Sequence, residues 1–119
     1  MTFLVHITCG PEDPTRAALG FLVARTAQEE GHDVKVFLAG DGVNLIRDDV
    51  LDRLEGVGTG KLRDHFDAFA EGGGRVFLSG MSSKARGIGE DALAGKPAEM
   101  AMPPVLVKLM ADSDRVVTY

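Results

Sequence analysis

Apolar residues recur along this chain in two alternating rhythms, one of short continuous runs and one of helical spacing. Phe3 to Thr8 is an apolar run with His6 inside it, as expected of a parallel strand covered on both faces. Asp13-Pro14 supplies an N-cap and a first helical residue. Leu19, Leu22, Val23, Thr26 and Ala27 then fall on one helical face, and Gly31 provides a stop. Asp33 to Leu38, DVKVFL, predicts a second strand. After the Gly40-Asp41-Gly42 turn, Val43, Ile46, Val50 and Leu54 repeat at helical spacing, and Glu55 to Gly60 reads as a glycine-rich loop. Leu62, Phe66, Phe69 and Ala70 mark another amphipathic helix, ending at Gly72-Gly73-Gly74.

The stretch Arg75 to Glu90, RVFLSGMSSKARGIGE, is the centre around which the other elements are arranged. Val76 to Leu78 predicts a third strand, Ser79-Gly80-Met81-Ser82 a tight turn, and the residues beyond it a helix start. Gly87, Gly89 and Gly95 weaken any long helix after Glu90. A brief strand is expected around Glu99 to Ala101. Pro104 then opens a helix through Val105, Leu106, Leu109 and Met110, and Arg115 to Tyr119 forms a last strand. This alternation predicts one α/β domain over residues 1–119, a three-layer α/β/α sandwich. Its sheet is mainly parallel and five-stranded, in the Rossmann or flavodoxin manner.

Composition narrows the function classes. The formal charge of −5, from 18 acidic and 13 basic residues, disfavours nucleic acid, and no run of Lys or Arg provides a local exception. The segment MTFLVHITCG has no basic start and too short an apolar run for a secretory signal or a membrane span, so a cytoplasmic protein is expected. Cys9 is the single cysteine, which excludes an intrachain disulfide and a multi-thiolate metal site. His6, His32 and His65 lie far apart, so neither a metal nor a cofactor is expected, and His6 reads as a satisfied core or edge histidine. Gly56 to Lys61, GVGTGK, suggests a phosphate loop but has Glu55 and Leu62 at two positions that the Walker motif reserves for Gly and Ser or Thr.

The order and spacing of several motifs carry a family resemblance. Gly10, Pro11, Asp13, Pro14, Arg16 and Ala17, then Gly31-His32, then Gly40-Asp41-Gly42-Val43 follow the pattern of the DsrE/DsrF-like family of sulfur-relay proteins. The focal stretch resembles that family's strand followed by C-G-x-C-x-x-A-R-G-I, and EMAMPPVLVKLMADSDRVVTY resembles its closing helix and strand. The resemblance implies an α/β fold, a sulfurtransferase-like activity, a homo-oligomer (trimer or hexamer) and a sulfur-relay partner protein. At the positions where the family's cysteines fall, this chain has Ser79 and Ser82. A hydroxyl cannot replace the thiol, because sulfur relay needs a thiolate near neutral pH whereas an unactivated serine stays protonated.

The resemblance, taken with this chain's departures from it, leaves three functions open. The first is an atypical member that binds a small anionic or sulfur-containing ligand, or a partner, through Gly10, Asp41, Ser79, Gly80, Ser82, Ser83 and Arg86. Amides at a helix start and the Arg86 guanidinium suit an anion. The second is a sulfur carrier with Cys9 as its catalytic residue, placed before a helix that lowers a thiol pKa. The third is an oligomeric scaffold without catalysis. Gly80-Met81-Ser82-Ser83-Lys84 nearly spells a hydrolase elbow, yet Lys84 replaces its last glycine and every histidine precedes Ser82. A capping role for Ser82 or Ser83, a turn role for Asp41 and a surface ion pair for Arg86 are the plain structural alternatives. Met81, Met100, Met102 and Met110 either fill the core or face a neighbouring subunit.

Overall fold

Five parallel strands stand in the order β6-β5-β2-β1-β7 in the computed structural model, which describes residues 1–119. They are β1 (Thr2–Ile7), β2 (Asp33–Leu38), β5 (Arg75–Ser79), β6 (Ala98–Ala101) and β7 (Arg115–Thr118). A separate pair, β3 (Glu55–Gly56) and β4 (Gly60–Lys61), forms a small antiparallel hairpin. The helices are α1 (Pro14–Glu29), α2 (Asp48–Arg53), α3 (Leu62–Glu71), α4 (Gly80–Ala85) and α5 (Pro103–Asp112).

Handedness explains how these helices are distributed. The connections β1→β2, β2→β5 and β5→β6 all step in one direction across the sheet, so right-handed crossovers place their helices on one face. The return from β6 to β7 runs the other way and puts α5 alone on the opposite face. Side chains alternate accordingly. Val5, Ile7, Val36, Leu38, Val76 and Leu78 join Phe21, Phe66 and Phe69 in a core of 21 buried residues. Leu4 and Phe37 point to the α5 side, where with Ala101 they form a cluster of three that Phe77, Leu106 and Leu109 pack against.

Helix α1 differs from its expected orientation. Its buried residues are Ala17, Ala18, Gly20, Phe21 and Ala24, while Leu19, Leu22 and Val23 are half-buried and Thr26 is exposed. Close packing is the cause: a Cβ on Gly20 would lie 2.7 Å from Ile7 Cδ1, so the face of small residues, not the face of large ones, lets the helix approach the sheet. Asp13 caps the helix, its Oδ1 accepting from the Arg16 N–H at 3.3 Å, and Pro14 opens it as expected.

The helix expected from Val43 to Leu54 is divided in two. Residues 40–46 form a 3₁₀ turn, Arg47 is extended with ψ 135°, and α2 comes after it. The expected loop at Glu55 to Gly60 is instead the β3–β4 hairpin, tied to α1 by Val57 N–H to Thr15 Oγ1 (3.0 Å) and Thr59 Oγ1 to Thr15 O (3.1 Å). The nearly buried ring of His65 holds it from below, with Nε2 2.8 Å from Thr59 O. The short helix anticipated after Glu90 is a 3₁₀ turn, and both the strand near residue 100 and the final helix and strand stand where expected. No helix is long and apolar enough to cross a membrane.

Candidate functional site

Three strand ends converge at the carboxyl edge of the sheet, where an open α/β fold gathers its loops. The turn after β5 is short because Ser79 acts as its own cap. Ser79 Oγ accepts from the Ser82 N–H at 3.1 Å and starts α4, so the capping role falls to Ser79 rather than to Ser82 or Ser83. Ser82 reaches across to the next strand end, its Oγ accepting from the Gly40 N–H at 2.9 Å. Arg86 closes the same gap. Its Nη2 and Nε donate to Asp41 Oδ1 at 2.9 and 3.2 Å, and its Nη1 donates to Ser82 O at 3.1 Å. The turn role of Asp41 and the ion pair of Arg86 are therefore one interaction, not two.

The β1 end is pressed onto this assembly. A Cβ on Gly10 would lie 2.3 Å from the Asp41 carbonyl oxygen, so only glycine fits where the two loops cross. Gly10 also donates its N–H to both carboxylate oxygens of Glu12, at 2.9 and 2.8 Å. Gly10, Asp41, Ser79, Gly80, Ser82 and Arg86 are thus brought together. Ser83 is in the same helix but only 1% exposed, with an Oγ that has no partner. Gly80 lies beside Met102, whose Sδ would be 3.1 Å from an added Cβ.

Chemistry at Ser82 has no base to support it. His32 Nδ1 lies 3.1 Å from the Met1 amine, His65 bonds Thr59, and His6 Nδ1 lies 3.5 Å from Thr118 Oγ1, so no imidazole reaches the serine. Cys9 is a half-buried free thiol. Burial raises its pKa, and the carboxylates of Asp13 and Glu12 raise it further, which outweighs the lowering by a backbone hydrogen bond and the Arg16 charge. No three His, Cys, Asp or Glu side chains come together as a metal ion would require.

Arg47, which the motifs did not single out, contributes as well. Arg47 Nη2 donates to the Arg86 carbonyl at 2.7 Å and steadies the end of α4. Strand order reverses between β1 and β7, and a hollow at that point is lined by Asp13, Thr15, Arg16, Leu19, Thr118 and Tyr119. Neighbouring strand ends of this kind are set by tertiary pairing, and no local spacing announces them. A second hollow, largely apolar, lies beside α4 and is lined by Gly80, Met81, Lys84, Ala85 and Met102.

The family model described as the DsrE/DsrF-like family matches residues 1–119. Among solved structures, the crystal structure of the ychN protein from E. coli is similar over 100% of both chains, with a TM-score of 0.76 at 18% sequence identity, which shows a shared fold. No curated protein matches this sequence. A family match along the full length of this α/β fold leads to one conclusion: the chain belongs to the DsrE/DsrF-like family.

Proposed function

We propose that this chain is a sulfur-relay-type protein that binds a small anionic or sulfur-containing ligand, or a relay partner bearing such a group, without carrying persulfide itself. The observation that carries this reading is the state of the β5 turn. At the family's cysteine positions stand two hydroxyls already committed to backbone N–H groups, Ser79 to Ser82 and Ser82 to Gly40. Arg86 is differently placed. Three of its five N–H donors are engaged, two by Asp41 and one by Ser82 O, which leaves two for a ligand at a side chain 31% exposed. A carboxylate partner keeps the guanidinium in position, and an incoming anion would share it.

The alternative of a sulfur carrier using Cys9 is weakened by the raised thiol pKa, since the thiolate is the nucleophile. This reading takes the whole chain to act as one domain, in the cytoplasm, within a homo-oligomer of three or six copies. Support for assembly comes from α5, which has no buried residue although it carries Val105, Leu106, Val107, Leu109 and Met110. Met81 and Met102 extend the apolar surface towards the crevice.

Thermal unfolding in the presence of sulfate, thiosulfate and a small organic thiolate tests the binding. A ligand held only by the native state raises Tm, equivalent to about 2.7 kcal/mol at a hundredfold excess over Kd. The shift should be absent in Arg86→Gln. No shift with any of the three probes refutes the crevice as an anion site. Incubation with a sulfur donor and subsequent mass spectrometry should leave the mass unchanged; a labile gain of one sulfur atom that vanishes in Cys9→Ser would replace this reading with the sulfur carrier.

A further inference from the structure

His6 stands out on the opposite side of the sheet from the main core. The alternation of β1 sends it, with Leu4, to the face that α5 covers, where its ring meets Phe37 edge-on at a centroid distance of 5.9 Å. The sequence leads one to expect a histidine satisfied by hydrogen bonds, and the structure differs. Nδ1 lies 3.5 Å from Thr118 Oγ1, the outer limit of a hydrogen bond, and Nε2 is sealed from solvent with no partner at all.

We infer that His6 is a proton-operated latch for α5: placing a proton on the sheltered Nε2 creates a buried donor and charge with no acceptor, and α5 loosens from the sheet to let water reach it. In the neutral ring, one tautomer keeps hydrogen on Nδ1, facing Thr118, and leaves Nε2 a bare acceptor, which is the cheaper group to bury unpaired. The imidazolium must donate from both nitrogens. Neighbouring charges cannot help it. Lys35 on β2 shares this face and is bonded to Asp33, and Arg75 on β5 is bonded to Glu99. On α5 itself, Lys108 and Asp112 pair with each other at the exposed side, 3.2 Å apart. The neighbour from β7 is the neutral Thr118.

The seat of α5 is the part of the fold that can yield. It has no buried residue and rests on a cluster of three. Burial holds the His6 pKa below the ordinary histidine value of 6.5, and this lowering sets the direction of the pH effect. Above 6.5 the ring is neutral whether α5 is docked or not, and docking is independent of pH. As pH falls from 6.5 towards the lowered value, the undocked ring takes up a proton that the docked ring refuses. The undocked fraction then grows by up to about tenfold per pH unit. Acidification thereby uncovers Leu4, Phe37 and Phe77.

Amide hydrogen exchange, expressed as protection factors at neutral pH and at about pH 5, tests the latch directly. Protection of residues 105–112 should fall several-fold on acidification while α1 and α3 keep theirs. In His6→Phe, which retains the contact with Phe37, protection should not change with pH. Equal loss in the variant, or no loss in the wild type, overturns the inference. If His6→Phe does not fold, an NMR titration of the wild type decides: α5 amide shifts must track the midpoint of the His6 ring, and a different midpoint sinks the latch.

Discussion

The two faces of the sheet are built on unequal terms. Beneath α1 and α3, 21 buried residues close a continuous core, whereas beneath α5 the corresponding cluster has three. Topology makes the difference, because three crossovers in one direction stack their helices on one face and the single return crossover leaves the other to one short helix. A helix of ten residues is about 15 Å long, while five strands span roughly 19 Å across. The lesson is that apolar content and burial part company in α5. Val107 is 63% exposed and Met102 52%, on a segment whose composition would suit a core. Such a face is the surface that the proposed assembly would cover.

Truncation on each face tests this inequality most severely. Phe21→Ala removes a fully buried ring against Phe66 and Phe69 and should cost about 3–5 kcal/mol in urea unfolding. Leu109→Ala, on the half-covered side, should cost under about 2 kcal/mol. Equal losses would show that α5 is anchored as firmly as α1.

Assembly sharpens the same contrast with a smaller effect on stability. Met102→Glu places a charge on the exposed apolar surface and should change monomer stability by no more than about 0.5 kcal/mol. The particle mass should nevertheless drop when measured by light scattering after gel filtration. A wild-type mass near 12.6 kDa would show that the α5 face stays free.

How far the sequence foretells this molecule differs between elements for physical reasons. Strands β1, β2, β5 and β7 and helices α3 and α5 are legible because turn residues bound their apolar runs. The buried face of α1 is not, since hydrophobicity favours Leu19, Leu22 and Val23, while the sheet selects Ala17, Gly20 and Ala24 for closeness. Glycine content suggests a loose loop at residues 55–60, whereas hydrogen bonds with Thr15, remote in sequence, and with His65 on α3 fix it as a hairpin. At the candidate site, the turn motifs single out Asp41, Ser82 and Arg86. It cannot reveal that they bind one another, because their pairing depends on β2 and β5 being neighbours.

Each face also holds one polar atom without a partner, and these should respond differently. Ser83 Oγ in α4 is buried with no acceptor or donor in reach, and Ser83 itself is 1% exposed. A hydroxyl in that position has given up its water without compensation, so removing it costs no hydrogen bond. Ser83→Ala should unfold at the same urea concentration as the wild type or gain up to about 1 kcal/mol. Because a serine hydroxyl does not titrate in the range, the difference should be identical at neutral pH and at about pH 5. His6→Phe should by contrast show its advantage only on acidification, where the wild-type ring is penalised. A loss above about 1 kcal/mol in Ser83→Ala would mean that the hydroxyl is satisfied by a buried water, and the orphan atom on the well-packed face would then be a hydration site rather than an unpaired group.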